Sequence, residues 1–118
     1  MKPGDAVGAE RWPYQGAHPD CWGPPWRGTL LAVDDPRVWA PTLAVYGQEP
    51  TPAAIAEHLG RWPSRPTSVP VLWDFGPHGE VIHWERPARL RSYADDAAAW
   101  RAARAAAYAS WACCPAAA

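Results

Sequence analysis

Four sets of side chains in this sequence have types and spacings that could do chemistry. Asp34-Asp35 and Asp95-Asp96 are paired carboxylates, the groups that general acid–base or two-metal reactions use. His18-Pro19-Asp20-Cys21, together with Cys113-Cys114 far along the chain, offers nitrogen and sulfur donors of the kind zinc gathers into a tetrahedron. Arg86, Arg89, Arg91, Arg101 and Arg104 bring guanidinium forks suited to phosphate oxygens. Trp12, Tyr14, Trp22 and Trp26 crowd aromatic rings into one short stretch, and such rings anchor protein interfaces.

Each set also has a plainer reading. Asp34-Asp35 precedes Pro36 in a turn where aspartate bonds its own backbone, and Asp95-Asp96 falls in a first helical turn, where negative charge meets the positive dipole end. No histidine or third carboxylate stands at a useful spacing from either pair, Ser64, Ser68 and Ser110 lack an elbow motif, and there is no glycine-rich phosphate loop. The sequence therefore predicts no enzyme and no cofactor. It predicts no metal either, since there is no C-x-x-C pair and adjacent cysteines rarely face one ion. Arg101 and Arg104, three apart, are neighbours on a helix, and Asp95 and Asp96 would partly neutralise that face. His78 reads as a loop-tip residue and His83 as a strand residue turned to solvent, away from Trp84.

What must position these residues is a short chain with an unusual core inventory. Nine tryptophans among 118 residues supply the buried area that few Leu, Ile and Phe leave wanting, which predicts one domain with a Trp-built core. Residues 1 to 85 carry six cations against ten anions, and residues 86 to 118 five arginines against two aspartates, for a net charge of -1. A locally basic end on a near-neutral chain makes nucleic acid the weaker partner expectation. The opening MKPGDAVG has neither a basic n-region nor an apolar h-region, and no run of about 18 apolar residues could span a bilayer, so the expected setting is cytoplasmic, off the membrane, with reduced thiols.

Residues 8–28 read as a long Pro/Trp-rich loop, because prolines cannot donate to a ladder. Thr29 to Val33 reads as a buried strand, Val38 to Tyr46 as an ambiguous stretch that could be a strand interrupted by Pro41, and Thr51-Pro52 as the cap and first position of a helix ending at Gly60. Val71 to Arg86 reads as a hairpin with Gly76-Pro77-His78-Gly79 as a four-residue loop, a register that puts Val71, Trp73, Ile82 and Trp84 on one face. Leu90 to Tyr93 could add a last strand before an alanine-rich helix over 94–112, capped by Ser92 or Asp95, with Trp100, Ala103, Ala107 and Trp111 as its apolar stripe. The predicted domain spans 1–112, with a disordered tail over 113–118.

In order, KPGDAV, GTLLAVDD, VPVLWDFGPHGEVIHWER and ARLRSY resemble the short strands of SH3-like barrels of the Tudor and KOW kind. The match covers about half the chain, and outside it lie the Pro/Trp loop, the segment from Val38 to Pro70 and the C-terminal helix. The resemblance implies a mainly β, α+β fold: an SH3-like antiparallel barrel with an inserted short helix and a C-terminal helix. The Trp-rich look is also similar to small proteins of bacterial phages and prophages, which would imply modulating or inhibiting a host defence complex. Tudor-like barrels can hold a cationic side chain in a loop aromatic cage, where Trp12, Tyr14, Trp22 and Trp26 would sit, although the same rings could instead plug the barrel end. The expected function is thus a non-catalytic protein-binding module, with an Arg-based nucleic-acid binder as the alternative and the oligomeric state open.

Overall fold

A computed structural model describes residues 1–61 and 67–113. Five strands, β1 (Ala6–Gly8), β2 (Arg27–Leu30), β3 (Val69–Asp74), β4 (Glu80–Glu85) and β5 (Arg91–Ser92), form one antiparallel sheet in the order β4-β3-β2-β1-β5. Three helices accompany it: α1 (Pro36–Val45), α2 (Pro52–Arg61) and α3 (Tyr93–Cys113). The fold is α+β, but more residues lie in helices than in strands, and the sheet is open rather than a closed barrel. β4 and β5 stand at opposite edges, and a two-residue β5 offers little backbone with which to close a ring.

The helices follow from local capping. Asp35 accepts from the Arg37 N–H at 2.9 Å, and Pro36 takes the first helical position, where a missing N–H costs nothing. This cap, with Trp39 and Leu43 four apart on the inner face, makes Val38 to Tyr46 helical where a strand was conceivable, and Pro41 sits on the exposed side. The insertion therefore holds two helices, not one. Thr51 caps α2 through the Ala54 N–H at 3.2 Å, and the helix runs past Gly60 to Arg61. Ser92, not Asp95, caps α3, accepting from the Asp95 N–H at 3.1 Å. That helix begins one residue before and ends one after the expected 94–112. Of the expected tail, Cys113 closes α3, and residues 114–118 lie outside the described residues.

The hairpin differs from expectation in a way that reorganises the core. Asp74 pairs with Glu80, so the loop is five residues, Phe75 to Gly79, closed by the Phe75 N–H on the Gly79 carbonyl at 2.9 Å. Phe75 leaves the ladder to set its ring edge-on against Trp26, 4.6 Å between centroids, and Asp74 Oδ1 ties down the Gly76 N–H. One extra loop residue shifts the register by one, and with period two that exchanges faces. Trp73 now pairs with Val81 and Trp84 with Pro70, so the two tryptophans lie on opposite faces and do not line one interior.

Each face consequently has its own small core. On one, Val7, Leu30, Val71, Trp73 and Leu90 are buried together, with Trp26 and Phe75 packed against them. On the other, Trp84 packs on Trp39, Leu43 and Ile55 of the helical insertion, Trp39 and Trp84 meeting at 6.1 Å, and the Trp39 indole donates to the Val33 carbonyl at 2.6 Å.

We expect Trp73→Ala to cost about 3–5 kcal/mol, the range for truncating a buried large aromatic. Trp84→Ala, at a half-buried position in the second core, should cost measurably less. Urea denaturation of both variants checks the ranking, and equal losses would contradict the two-core arrangement.

Candidate functional site

Two buried carboxylates organise the surface around the loop. Asp96, in the first turn of α3, is fully buried and accepts from the Glu10 N–H at 3.1 Å, the Trp12 indole at 3.3 Å and Arg91 Nε at 2.7 Å. It comes this close to β1 because Gly8 has no side chain: a Cβ there would fall 2.4 Å from Asp96 Oδ2. Glu85, at the end of β4, is likewise buried, and its Oε1 meets Arg11 at 2.6 Å, the Trp73 indole at 3.2 Å and His83 Nδ1 at 3.0 Å. Arg11 also lies over the Trp73 ring at 5.3 Å. A buried charge is tolerable only with such partners.

The far part of the loop is held against the second half of α3. A short 3-10 turn at Pro19–Cys21 presents the Pro19 carbonyl to Arg104 Nε at 3.0 Å, and Tyr108 donates its hydroxyl to Asp20. His18 packs against Tyr108 and Trp111, with ring centroids 6.0 and 5.1 Å apart. The hydrogen bond to Asp20 holds the proton on Tyr108 and raises its pKa above the ordinary value, helped by desolvation and opposed by Arg104.

Of the four loop aromatics expected at a partner surface, Trp12 is buried on Asp96 and presents no surface. Trp26 is half-buried against the sheet core and Phe75. Trp22 is half-buried, its indole donating to the Ala17 carbonyl at 2.9 Å. Tyr14 is 74% exposed. The rings therefore do not converge into one cage: Trp12 and Trp26 belong to packing, Trp22 is half-buried within the loop itself, and Tyr14 is outside.

The arginines divide similarly. Arg91 is engaged by Asp96 and lies over the Trp12 ring, and Arg104 is engaged by Pro19 and Tyr108. The side chains of Arg86, Arg89 and Arg101 are exposed and make no hydrogen bond or ion pair among the described residues. A continuous five-arginine track is not assembled.

The paired aspartates are also split by the fold. Asp35 caps α1 and pairs with Arg37, whose hydrogen bonds hold its carboxyl below the ordinary value, while Asp34 is exposed. Asp96 is inside and Asp95 outside. Among the described residues no three His, Cys, Asp or Glu side chains cluster as metal ligands, and no helix is long and apolar enough to cross a membrane.

Sequence reasoning missed the Arg11–His83–Glu85 group and the inward turn of Asp96. His83 and Glu85, two apart on a strand, had to share a face, which is a readable signal. Arg11 had none, since only folding brings it there. No family model, curated protein or solved structure matches the chain.

Asp96→Ala should cost about 3–5 kcal/mol, because it strands the Arg91 charge and two N–H donors, and the urea midpoint reads that loss. Raising the pH should break the Tyr108–Asp20 tie between α3 and the loop: Tyr108 has a raised pKa, so this contact is intact below the ordinary tyrosine value and is lost as pH climbs through the higher folded value. Tyrosinate absorbance should titrate late in the native chain and return toward the ordinary value in Asp20→Asn.

Proposed function

We propose that this chain is a non-catalytic protein-binding module that offers its partner the ridge made by the loop after β1 and the outer half of α3. One observation carries the reading. Tyr14 sits at φ +62°, a left-handed conformation that costs a non-glycine residue about 1–2 kcal/mol, and yet its ring is exposed. The Tyr14 carbonyl accepts from the Ala17 N–H at 2.9 Å to close this turn, but the ring gains no burial from it, and an exposed aromatic fixed on a strained turn suits contact with something else. Tyr108 and Trp111, 37% and 49% exposed, add aromatic surface on the helix, and the ties from Trp12, Trp22 and Arg104 hold the loop in shape before any partner arrives. Preordered aromatic anchors lose little entropy on binding, which is why they dominate interface energies.

The SH3-like framework is part of the same proposal. A meander from β1 to β4 with β5 returning to the free side of β1 is consistent with it, each strand overlapping one of the segments that carry the resemblance. A role in modulating a host complex rests on the likeness to phage proteins alone. The arginine-based nucleic-acid reading is weakened by the engagement of Arg91 and Arg104 inside the fold.

Tyr14→Gly tests the proposal, since glycine relieves the strain while deleting the ring. Thermal stability should hold or rise, and affinity capture from the native host's lysate should lose the protein recovered by the unmodified chain. Recovery of the same protein by Tyr14→Gly, or tight and steeply salt-dependent binding of RNA or DNA, would overturn it.

A further inference from the structure

We infer that Arg11 and His83 form a receptor for a single carboxylate, a second contact point on the partner that the reading above assigns to this chain. Both side chains touch the same atom, Glu85 Oε1, Arg11 at 2.6 Å and His83 Nδ1 at 3.0 Å. Glu85 is itself fixed from below by the Trp73 indole and is buried, so it anchors the pair without exposing its own charge. Both side chains keep part of their surface in solvent: that of Arg11 is 36% exposed and that of His83 61%. Through NH2 the guanidinium reaches Glu85, and no other Arg11 side-chain hydrogen bond is formed among the described residues. Its remaining N–H groups match the fork geometry of a carboxylate.

A carboxylate can only accept, so Glu85 requires the hydrogen of His83 on Nδ1, which turns Nε2 toward solvent. An arriving anion then favours the protonated ring, which supplies a second outward donor beside the guanidinium. The groups facing His83 are Glu85 from its own strand, Arg11 from the loop after β1, and the Trp73 indole that shares Glu85 on β3. One buried negative charge already offsets Arg11, so the site carries about one net positive charge when His83 is protonated. That charge suits one carboxylate better than a polyanionic strand, which would need several cations in a row. The ligand is therefore an aspartate or glutamate side chain of a protein partner. The contact is distinct from the ridge at Tyr14, and the two can fail separately.

Titrating the full chain with a hexapeptide of threonines and one central aspartate, and with its asparagine counterpart, reads the site directly through the His83 ring resonances. The aspartate peptide should shift them with millimolar affinity, at least threefold tighter at pH 5.5 than at 7.5, and the asparagine peptide should not. His83→Gln, at an exposed position that leaves folding intact, should weaken binding at least fivefold, as read from backbone amide resonances around Arg11. Arg11→Lys should weaken it while retaining a cation for Glu85. Equal shifts with both peptides, unchanged affinity in His83→Gln, or a stronger and salt-steep response to a single-stranded RNA 12-mer would overturn the inference. The RNA response would count against both readings, whereas the peptide and His83→Gln results leave capture through Tyr14 untouched, since Tyr14→Gly reads that by itself.

Discussion

A carboxylate removed from water must find donors, and the fold is arranged around meeting that demand at Asp96. Its partners come from three separate stretches: Glu10 and Trp12 on the loop, Arg91 on the last strand, and the space left by Gly8 on the first. One side chain thus locates α3 against the sheet and pulls the start of the loop inward. Because Glu10 and Trp12 lie 86 and 84 residues from Asp96 in sequence, their part of the interaction exists only once the chain has closed. The arrangement is also intolerant of substitution, since a single methyl at Gly8 would occupy the position of the carboxylate.

Glu85 does for the other end of the sheet what Asp96 does for β1, but with its partners turned outward. There Arg11 and His83, the groups that meet the buried charge, keep part of their own side chains in solvent, where they are available to a ligand. Structure and binding share the same atoms at this point. At the loop tip the two are separated: Trp12 and Trp26 supply packing, while Tyr14 is left outside in a conformation that packing alone does not explain. The sheet between these points is covered on both faces, by the Val7–Leu30–Trp73 cluster and by the helical insertion under Trp84. Two thin cores in place of one barrel interior explain how a short chain uses so many tryptophans without enclosing them in one cavity.

Local signals in the sequence were legible wherever the cause was local. The Thr51-Pro52 helix start, the Ser92 cap, the existence of a hairpin after Val71 and the run of short strands all depend on residues within a few positions of one another. Cap and pattern competed at Val38 to Tyr46, where Asp35 and Pro36 outweighed the strand-like composition. Of the candidate site, the exposure of Tyr14 lay within the expected aromatic set, but the burial of Trp12 and the engagement of Arg91 and Arg104 did not follow from spacing.

By itself the sequence determined an α+β chain of short antiparallel strands with a Trp-rich core and a capped alanine-rich helix, since periodicity, caps and turn residues act over a few bonds. Tertiary structure alone decided the hairpin register, which turned on whether Phe75 would stay in the strand or leave it to meet Trp26, a residue some fifty positions away. It likewise decided that the sheet stays open and which charged groups face inward. Burial and long-range donors set those outcomes, and neither is written in the spacing of neighbouring residues.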